Sequence, residues 1–448
     1  MSPYTRDRGS LVGVFHTQDE QAHKLMKNPI APLFSLSSVV SFEGLVEEVL
    51  ECLEKQLDER FSKTGAVFDF GNWLQYFAFD VMGTLSFSKR YGFLDEGRDV
   101  GGMLATIFDF MKAHSALTQI TWLDPIINKN RIVYGLLQTP DMSILRFVNK
   151  AIRERLQITG KQDAEAHIKR ERPFTDFLSC FLEIQRSNDR VPSWAPSAWI
   201  LSNVIAGSDS TATVMRTVMW LFHRTPWSSF DILVVSRLAN DIRSWPLLSI
   251  GVFFKNYNLL THPKTLEKLR QELLAASSDR HYPKWDEVSG LPYLDACIQE
   301  GIRLHPPFAL PLERVTPPEG ITVLGKYLTG GTVVGGNPYV VNRHQPTFGD
   351  DPDSWDPERW LIGGEKHKKM LEQSMLTFGA GRRVCLGKHL AILELKKLIP
   401  FLVLNYDMQI VNPQAFSVEN AWFLKQQGFY ARLKKHTCRE VSANEPGV

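Results

Sequence analysis

One cysteine in this chain sits where a thiol can be held as an anion. Residues 374–404 read SMLTFGAGRRVCLGKHLAILELKKLIPFLVL, a glycine-rich, arginine-bearing turn that carries Cys385 straight into an amphipathic helix expected to begin near Leu386. Backbone N–H groups at a helix N-terminus and nearby arginine charge favour thiolate over thiol. Gly379, Gly381 and Gly387 let the backbone lie flat against something bulky. Taken alone, a cysteine at a helix start is more often a packing residue. Upstream, YLDACIQEGIRLHPP places Glu300 and Arg303 three apart on one helical face, with Pro306-Pro307 ending the helix. By itself that spacing describes an ordinary solvated ion pair of small energetic value. A third stretch, WAPSAWILSNVIAGSDSTATVMRTVM, sets an acid and an alcohol, Asp209 and Ser210, beside a glycine in the middle of an apolar helix. Such a glycine costs about 1 kcal/mol relative to alanine and so wants a reason.

The elements that must position these residues are mostly helical. Apolar residues recur at three and four spacing over 42–61, 71–88, 141–156, 196–219 and 263–276. Strand-like stretches come later, at 320–323, 332–335 and 422–433, the last with Gly428 between two short runs. The expected fold class is mainly α with a smaller β part. Residues 158–172 mix both charge signs without apolar periodicity and read as an exposed linker. With 448 residues, 44% hydrophobic and 22% charged, the chain can bury a large core and is not a disordered or fibrous sequence. A formal net charge of +2 argues against a nucleic-acid binder. Five scattered cysteines, at 52, 180, 297, 385 and 438, without a C-x-x-C pair, argue against a disulfide scaffold or a zinc site.

The spacing Phe378-x-x-Gly381-x-Arg383-x-Cys385-x-Gly387 resembles the haem-binding loop of the cytochrome P450 family at every fixed position. That resemblance implies haem b with Cys385 as the proximal thiolate ligand of iron, Phe378 shielding the sulfur and Arg383 meeting a haem propionate. A thiolate pushes electron density onto iron and favours O–O cleavage. It also makes Glu300, Arg303 and Arg359, the last in Pro357-Glu358-Arg359-Trp360, a structural triad on the proximal side. In PPFALPLERVTPPEGITV, Phe308, Ala309 and Leu310 become substrate contacts and Arg314 a propionate partner. Phe423, in the C-terminal turn around Trp422 to Leu424, becomes another substrate contact. Residues 206–211 resemble the A-G-x-D/E-T-T stretch on the oxygen side of haem, where Gly207 would make room for dioxygen and Asp209 and Ser210 would relay protons. Serine stands where threonine is usual, and its hydroxyl is less constrained in rotamer. Near the start, DEQAHKLMKNPIAPLFSLSS places His23 and Lys27 at the spacing of a basic propionate contact.

The segments TQDEQAHKL, NPYVVNRH, FGDDPDSWDPERWL and NAWFLKQQGF are most similar to the fungal microsomal branch of the family, of pisatin demethylase type. The resemblance implies a single domain over 1–448, with residues 370–400 forming the haem-binding loop and the helix after it. The activity it implies is insertion of one oxygen atom of dioxygen into an apolar small molecule, by hydroxylation or O-dealkylation, in secondary metabolism or detoxification. Electrons would come from NADPH through NADPH-cytochrome P450 reductase. The same iron also serves isomerases, dehydratases and ring-forming oxidases.

Two departures from the family pattern are expected to matter. The likeness begins almost at residue 1 with what is normally an internal helix, so an N-terminal truncation is expected. The family expectation is the endoplasmic reticulum membrane facing the cytosol; as written the chain shows no anchor, which implies a cytoplasmic or peripheral location. The second departure is 220–256, WLFHRTPWSSFDILVVSRLANDIRSWPLLSIGVFFKN, which holds three of eleven tryptophans and no glutamate. It reads as an insertion after the oxygen-side helix or as a retained intron translated in frame, and a misspliced chain of this kind would be non-functional.

Overall fold

Two long helices cross the centre of the protein, and each is built for a different neighbourhood. Residues Phe70–Phe87 are apolar all round, and every side chain but that of Asn72 is buried, the pattern of a helix with no solvent face. It starts where the Asp69 carboxylate accepts the Asn72 N–H at 3.2 Å and stops at Ser88, which takes a left-handed φ of 55°. Residues Ala195–His223 lie along it and are buried from Thr211 to Leu221, whereas the turn around Ala206 is open on one side. The computed structural model of the chain describes residues 4–5, 9–10, 13–15, 17–115, 147–155, 176–223, 263–276 and 281–436.

Around this pair pack the helices Glu43–Leu57, Phe177–Ser187, Pro263–Ala276, Pro292–Leu304 and Lys388–Asn405. One continuous apolar core joins them. The strands are few and short. Tyr430–Lys435 pairs antiparallel with both Phe68–Asp69 and Tyr406–Ile410. Four two-stranded ribbons, Tyr4–Thr5 with Gly9–Ser10, Leu312–Val315 with Val333–Gly336, Ile321–Val323 with Lys326–Leu328, and Ser417–Ala421 with Phe423–Gln427, complete the β part among the described residues. The architecture is therefore mainly α with a smaller β part.

Local differences from the sequence reading have physical causes. The two runs flanking Gly428 do not pair with each other. A Cβ at Gly428 would lie 2.1 Å from the Ala415 carbonyl, and with φ at 75° the chain turns there from one ribbon into another sheet. The tight turn instead falls at Trp422, φ 76°. Trp220, expected to open the insertion, belongs to the long helix. Its indole is buried and stacks on Phe416 with centroids 4.0 Å apart, so helical continuation is favoured by burial through this position. The remainder of that segment from residue 224, the linker 158–172, and the start of the helix expected at 141–156 lie outside the described residues. Among the described residues no helix is long and apolar enough to cross a membrane.

Candidate active site

The loop carrying Cys385 is a closed turn, held by its own backbone. The Cys385 N–H donates to the Phe378 carbonyl at 2.7 Å, and a single 3-10 turn over Gly381–Arg383 lies between them. Gly379 and Gly381 have φ of 70° and 62°, a region that costs a side-chain-bearing residue strain. Gly387 caps the helix Lys388–Asn405, two residues later than the sequence suggested, at an ordinary φ of −81°. Cys385 is exposed as a residue, although protein atoms crowd its thiol. Burial pushes the Cys385 thiol up from its ordinary value. The Gly387 and Lys388 backbone N–H groups and the charges of Lys27 and Lys388 act in the opposite direction, toward the anion. The Lys388 ammonium stands 5.6 Å from the centre of the Phe378 ring, which flanks the loop.

The helix Glu20–Lys27 lies against this loop. Asp19 caps it, accepting the N–H groups of Gln21 and Ala22. Trp199 of the long helix donates its indole N–H to the Met26 carbonyl at 2.9 Å. Lys27 Nζ reaches the Arg382 carbonyl at 2.6 Å. Arg383 donates to the Thr17 carbonyl at 2.7 Å and to the Glu20 carboxylate. His23 is buried beside them, and burial followed by the Arg383 charge holds its imidazole below the ordinary value. The structure thus gathers His23, Lys27 and Arg383 at one place. Arg314 is exposed on the Leu312–Val315 strand, where its guanidinium donates to the Glu313 carbonyl at 2.7 Å.

Glu300 and Arg303 are not a solvated pair. Both are fully buried, and Arg303 Nε and Nη2 meet the two Glu300 carboxylate oxygens at 2.8 Å each, a bidentate contact. Glu300 also accepts from Arg359 Nε at 3.0 Å, from the Trp360 indole at 2.9 Å and from the Asp356 N–H at 3.0 Å. Residue Asn342 carries this cluster to the cysteine loop, and the sequence reading did not single it out. Its side chain donates to the Arg303 carbonyl at 3.2 Å and to Thr377 Oγ1 at 2.7 Å, and accepts the Leu376 N–H at 3.0 Å. Thr377 precedes Phe378 directly. The signal was a lone asparagine inside the apolar stretch PYVVNRH. Asn342→Ala leaves the Leu376 N–H without its partner and is expected to cost about 2 kcal/mol, read by urea denaturation, together with faster loss of bound haem.

On the other side, the long helix presents Ala206 to open space, with Ser210 half-exposed one turn later. Gly207 does not make room on that side. A Cβ there would lie 2.7 Å from Met82 Sδ, so the glycine permits close packing of the two central helices. Ser210 Oγ donates back to the Ala206 carbonyl at 2.6 Å. Asp209 points elsewhere: its Oδ1 accepts from Gln75 Nε2 at 2.5 Å, and burial raises its carboxyl against the pull of Arg216, Gln75 and Lys425. Gln75, Arg216 and Lys425 were likewise not foreseen. Phe308 bridges Phe423 antiparallel, the Leu424 N–H meets the Pro307 carbonyl at 2.8 Å, and the Phe308 and Trp422 rings lie 6.1 Å apart. Ala309 is buried against Leu424, while Leu310 is half-buried.

These residues fit a haem. An added Cβ at Gly381 or Gly387 would meet nothing within 4 Å, so both flanks of the cysteine loop leave a cradle open. Donors at the helix start favour the thiolate, and the cations Lys27 and Arg383, with His23 beside them, are groups of the kind a propionate pairs with. Among the described residues no group of three or more His, Cys, Asp or Glu could hold a metal ion, so a single cysteine is the protein ligand that the loop can offer.

Comparison with known proteins agrees with that chemistry. The chain is 52% identical to the cytochrome P450 monooxygenase mfmA of Annulohypoxylon moriforme over 97% of its length and 78% of the relative's. It is 47% identical to the cytochrome P450 monooxygenase pkfB of Emericella nidulans, covering 98% of this chain and 78% of that one. A third relative, the cytochrome P450 monooxygenase mpaDE of Penicillium roqueforti, is 47% identical over 98% of this chain but 47% of its own length. Among solved structures the haem domain of cytochrome P450DA matches with a TM-score of 0.69 at 16% identity, over 96% of this chain and 81% of that one, a likeness of fold. The cytochrome P450 family model matches residues 4–227 and 248–430, leaving 228–247 unmatched inside the segment of odd composition. With the family model covering most of its length and a relative at 52% identity, the chain belongs to the cytochrome P450 family.

Proposed function

We propose that the protein is a haem-thiolate monooxygenase that hydroxylates or O-dealkylates an apolar small molecule in fungal secondary metabolism or detoxification. Haem held by a cysteine thiolate is the cofactor of the family, and when bound it supplies oxygen activation and the oxidising power for an unactivated C–H bond. The observation that carries the reading is exposed Cys385, in a loop whose helix-start N–H groups favour its anion and whose backbone is anchored to a buried carboxylate cluster. Cys385 binds the iron. Glu300, Arg303 and Arg359 keep the loop in one geometry, and Asn342 transmits that geometry to Leu376 and Thr377.

Arg383, His23 and Lys27 hold the propionate side, with Phe378 covering the sulfur. Phe308, Ala309, Leu310 and Phe423 line the substrate side and exclude water from it. Ser210 can turn its hydroxyl from the Ala206 carbonyl toward the oxygen side, and the Asp209 carboxyl, one residue away, holds a proton when neutral. The partner that supplies electrons from NADPH is NADPH-cytochrome P450 reductase, at the cytosolic face of the endoplasmic reticulum. The segment 220–256 is an insertion or a retained intron translated in frame, a reading supported by the family model's gap at 228–247, although its first residues, Trp220–His223, continue the long helix.

The test is the carbon monoxide difference spectrum of the reduced protein, followed by turnover with reductase under labelled dioxygen. The red-shifted Soret band of a thiolate complex and one labelled oxygen in the product are expected. In O-dealkylation the label leaves with the carbonyl fragment, so only product formed with no label in either fragment would make the protein an isomerase, dehydratase or ring-forming oxidase.

A further inference from the structure

The long helix has a second polar feature, which starts at Asp209 in the oxygen-side stretch and runs on beyond it. Asp209, Thr213 and Arg216 share a face there and border a narrow pocket, closed by Leu104, Phe108 and Met111 of the helix Met103–Ser115 and by Phe423 to Lys425 of the C-terminal ribbon. Its wall is half apolar, from Leu104, Phe108, Met111, Phe423 and Leu424, and half polar, with Gln75 beside the three residues of the long helix and Lys425. Two cations face it. Arg216 is 3% exposed and rigidly held, with Nε on the Gly71 carbonyl at 2.7 Å and Nη2 on Gln75 Oε1 at 2.6 Å, which leaves Nη1 without a partner among the described residues. Lys425 Nζ stands 3.5 Å from the centre of the Phe108 ring and has no hydrogen-bonding or ion-pair partner among the described residues.

Among the acidic groups nearby, Asp209 offsets part of this charge through space, but none forms an ion pair with Arg216 or Lys425 among the described residues. Glu419 pairs with Lys112 at 2.7 Å. Asp209 is taken by Gln75 at 2.5 Å, and burial favours its neutral form. Asp69 and Asp109 act on these cations only through space. Burial, with the Arg216 charge added, lowers the Lys425 ammonium from its ordinary value. A buried cation facing a second cation, both partly withdrawn from water, is stabilised by an incoming anion more than an exposed lysine would be.

We infer that this pocket is an anion subsite that takes the carboxylate, or an equally acidic end, of an otherwise apolar substrate. The inference rests on the proposed monooxygenase reading and deepens it. Phe423 belongs both to this pocket and to the bridge with Phe308, so a ligand anchored by its acid end at Lys425 and Arg216 directs its apolar body past Phe423 toward Phe308. An amphipathic acid therefore suits the protein better than a wholly apolar molecule.

The test uses the haem-loaded protein and a series of 4-alkylbenzoates with their methyl esters, their dissociation constants measured by calorimetry, a readout independent of iron ligation. The acids are expected to bind at least tenfold more tightly than the matching esters. Lys425→Met is expected to remove that preference with ester binding unchanged, and Lys425→Arg to restore it. Equal binding of acid and ester, absence of binding by every acid in the series, or an equal loss of both in Lys425→Met would overturn the subsite. The carbon monoxide spectrum of each variant reports separately on the proposed function, since a fault in haem ligation appears there whatever the calorimetry gives.

Discussion

Replacing Cys385 by serine is expected to abolish the thiolate carbon monoxide band and all turnover while leaving the fold intact. Serine keeps the volume of the side chain and leaves the Gly387 and Lys388 N–H groups in place, so the loop itself loses little. Its hydroxyl does not ionise under these conditions and is a poor ligand for iron. Because Cys385 is an exposed residue and belongs to none of the apolar cores, the stability change should stay within about 1 kcal/mol, in the range of surface substitutions. The measurements are the spectrum of the reduced, carbon monoxide-treated variant and its urea denaturation beside the parent chain. A variant that retained the red-shifted band would remove Cys385 from the iron. Cys297, fully buried, and Cys52, whose thiol donates to Asp95 at 3.6 Å, would then have to be considered, and neither lies beside a helix start with free donors.

The opposite pattern is expected at Glu300. Glu300→Ala removes the carboxylate that meets both Arg303 and Arg359, and leaves Arg303, fully buried, without its anion. Breaking a buried ion pair from one side costs about 3–5 kcal/mol, because the remaining charge stays desolvated. The Trp360 indole and the Asp356 N–H lose their acceptor as well. Denaturation should therefore show a loss of several kcal/mol, with the haem released early. Arg359→Lys is the milder companion. Its guanidinium is partly exposed and meets one carboxylate oxygen, so an ammonium can still pair there, although it cannot also reach the Phe348, Asp351 and Ser354 carbonyls. If Glu300→Ala unfolded no more easily than Arg359→Lys, the cluster would not be what secures the cysteine loop.

Legibility in the sequence followed the range of the interactions. The cysteine loop was readable because its chemistry is local: a turn that needs glycine at 379 and 381, an arginine and a helix start all lie within ten residues. The helices at 70–87 and 195–223 were readable for a similar reason, since apolar spacing over five turns leaves few alternatives. The spacing of Glu300 and Arg303 was visible too, but not its weight. The same E-x-x-R is a weak surface pair in water and a strong constraint once Trp360, Asp356 and Arg359 close over it, and burial is a property of the packed chain.

Only the tertiary structure could decide the rest. Asn342 links 303 to 377 across a large sequence separation, and no local pattern marks it as a clamp. Gly207 was expected to face oxygen and instead faces Met82, because a helix's azimuth is set by what packs on it and not by its own residues. Arg383 meets Glu20 from the other end of the chain. Asp209 likewise owes its surroundings to Gln75, Arg216 and Lys425, which come from three separate elements. What the sequence by itself determined was the reactive cysteine and the helices that frame it, through short-range sterics and periodicity. Which polar groups are buried, and which charges face one another across the pocket, depended on contacts between residues far apart in the chain.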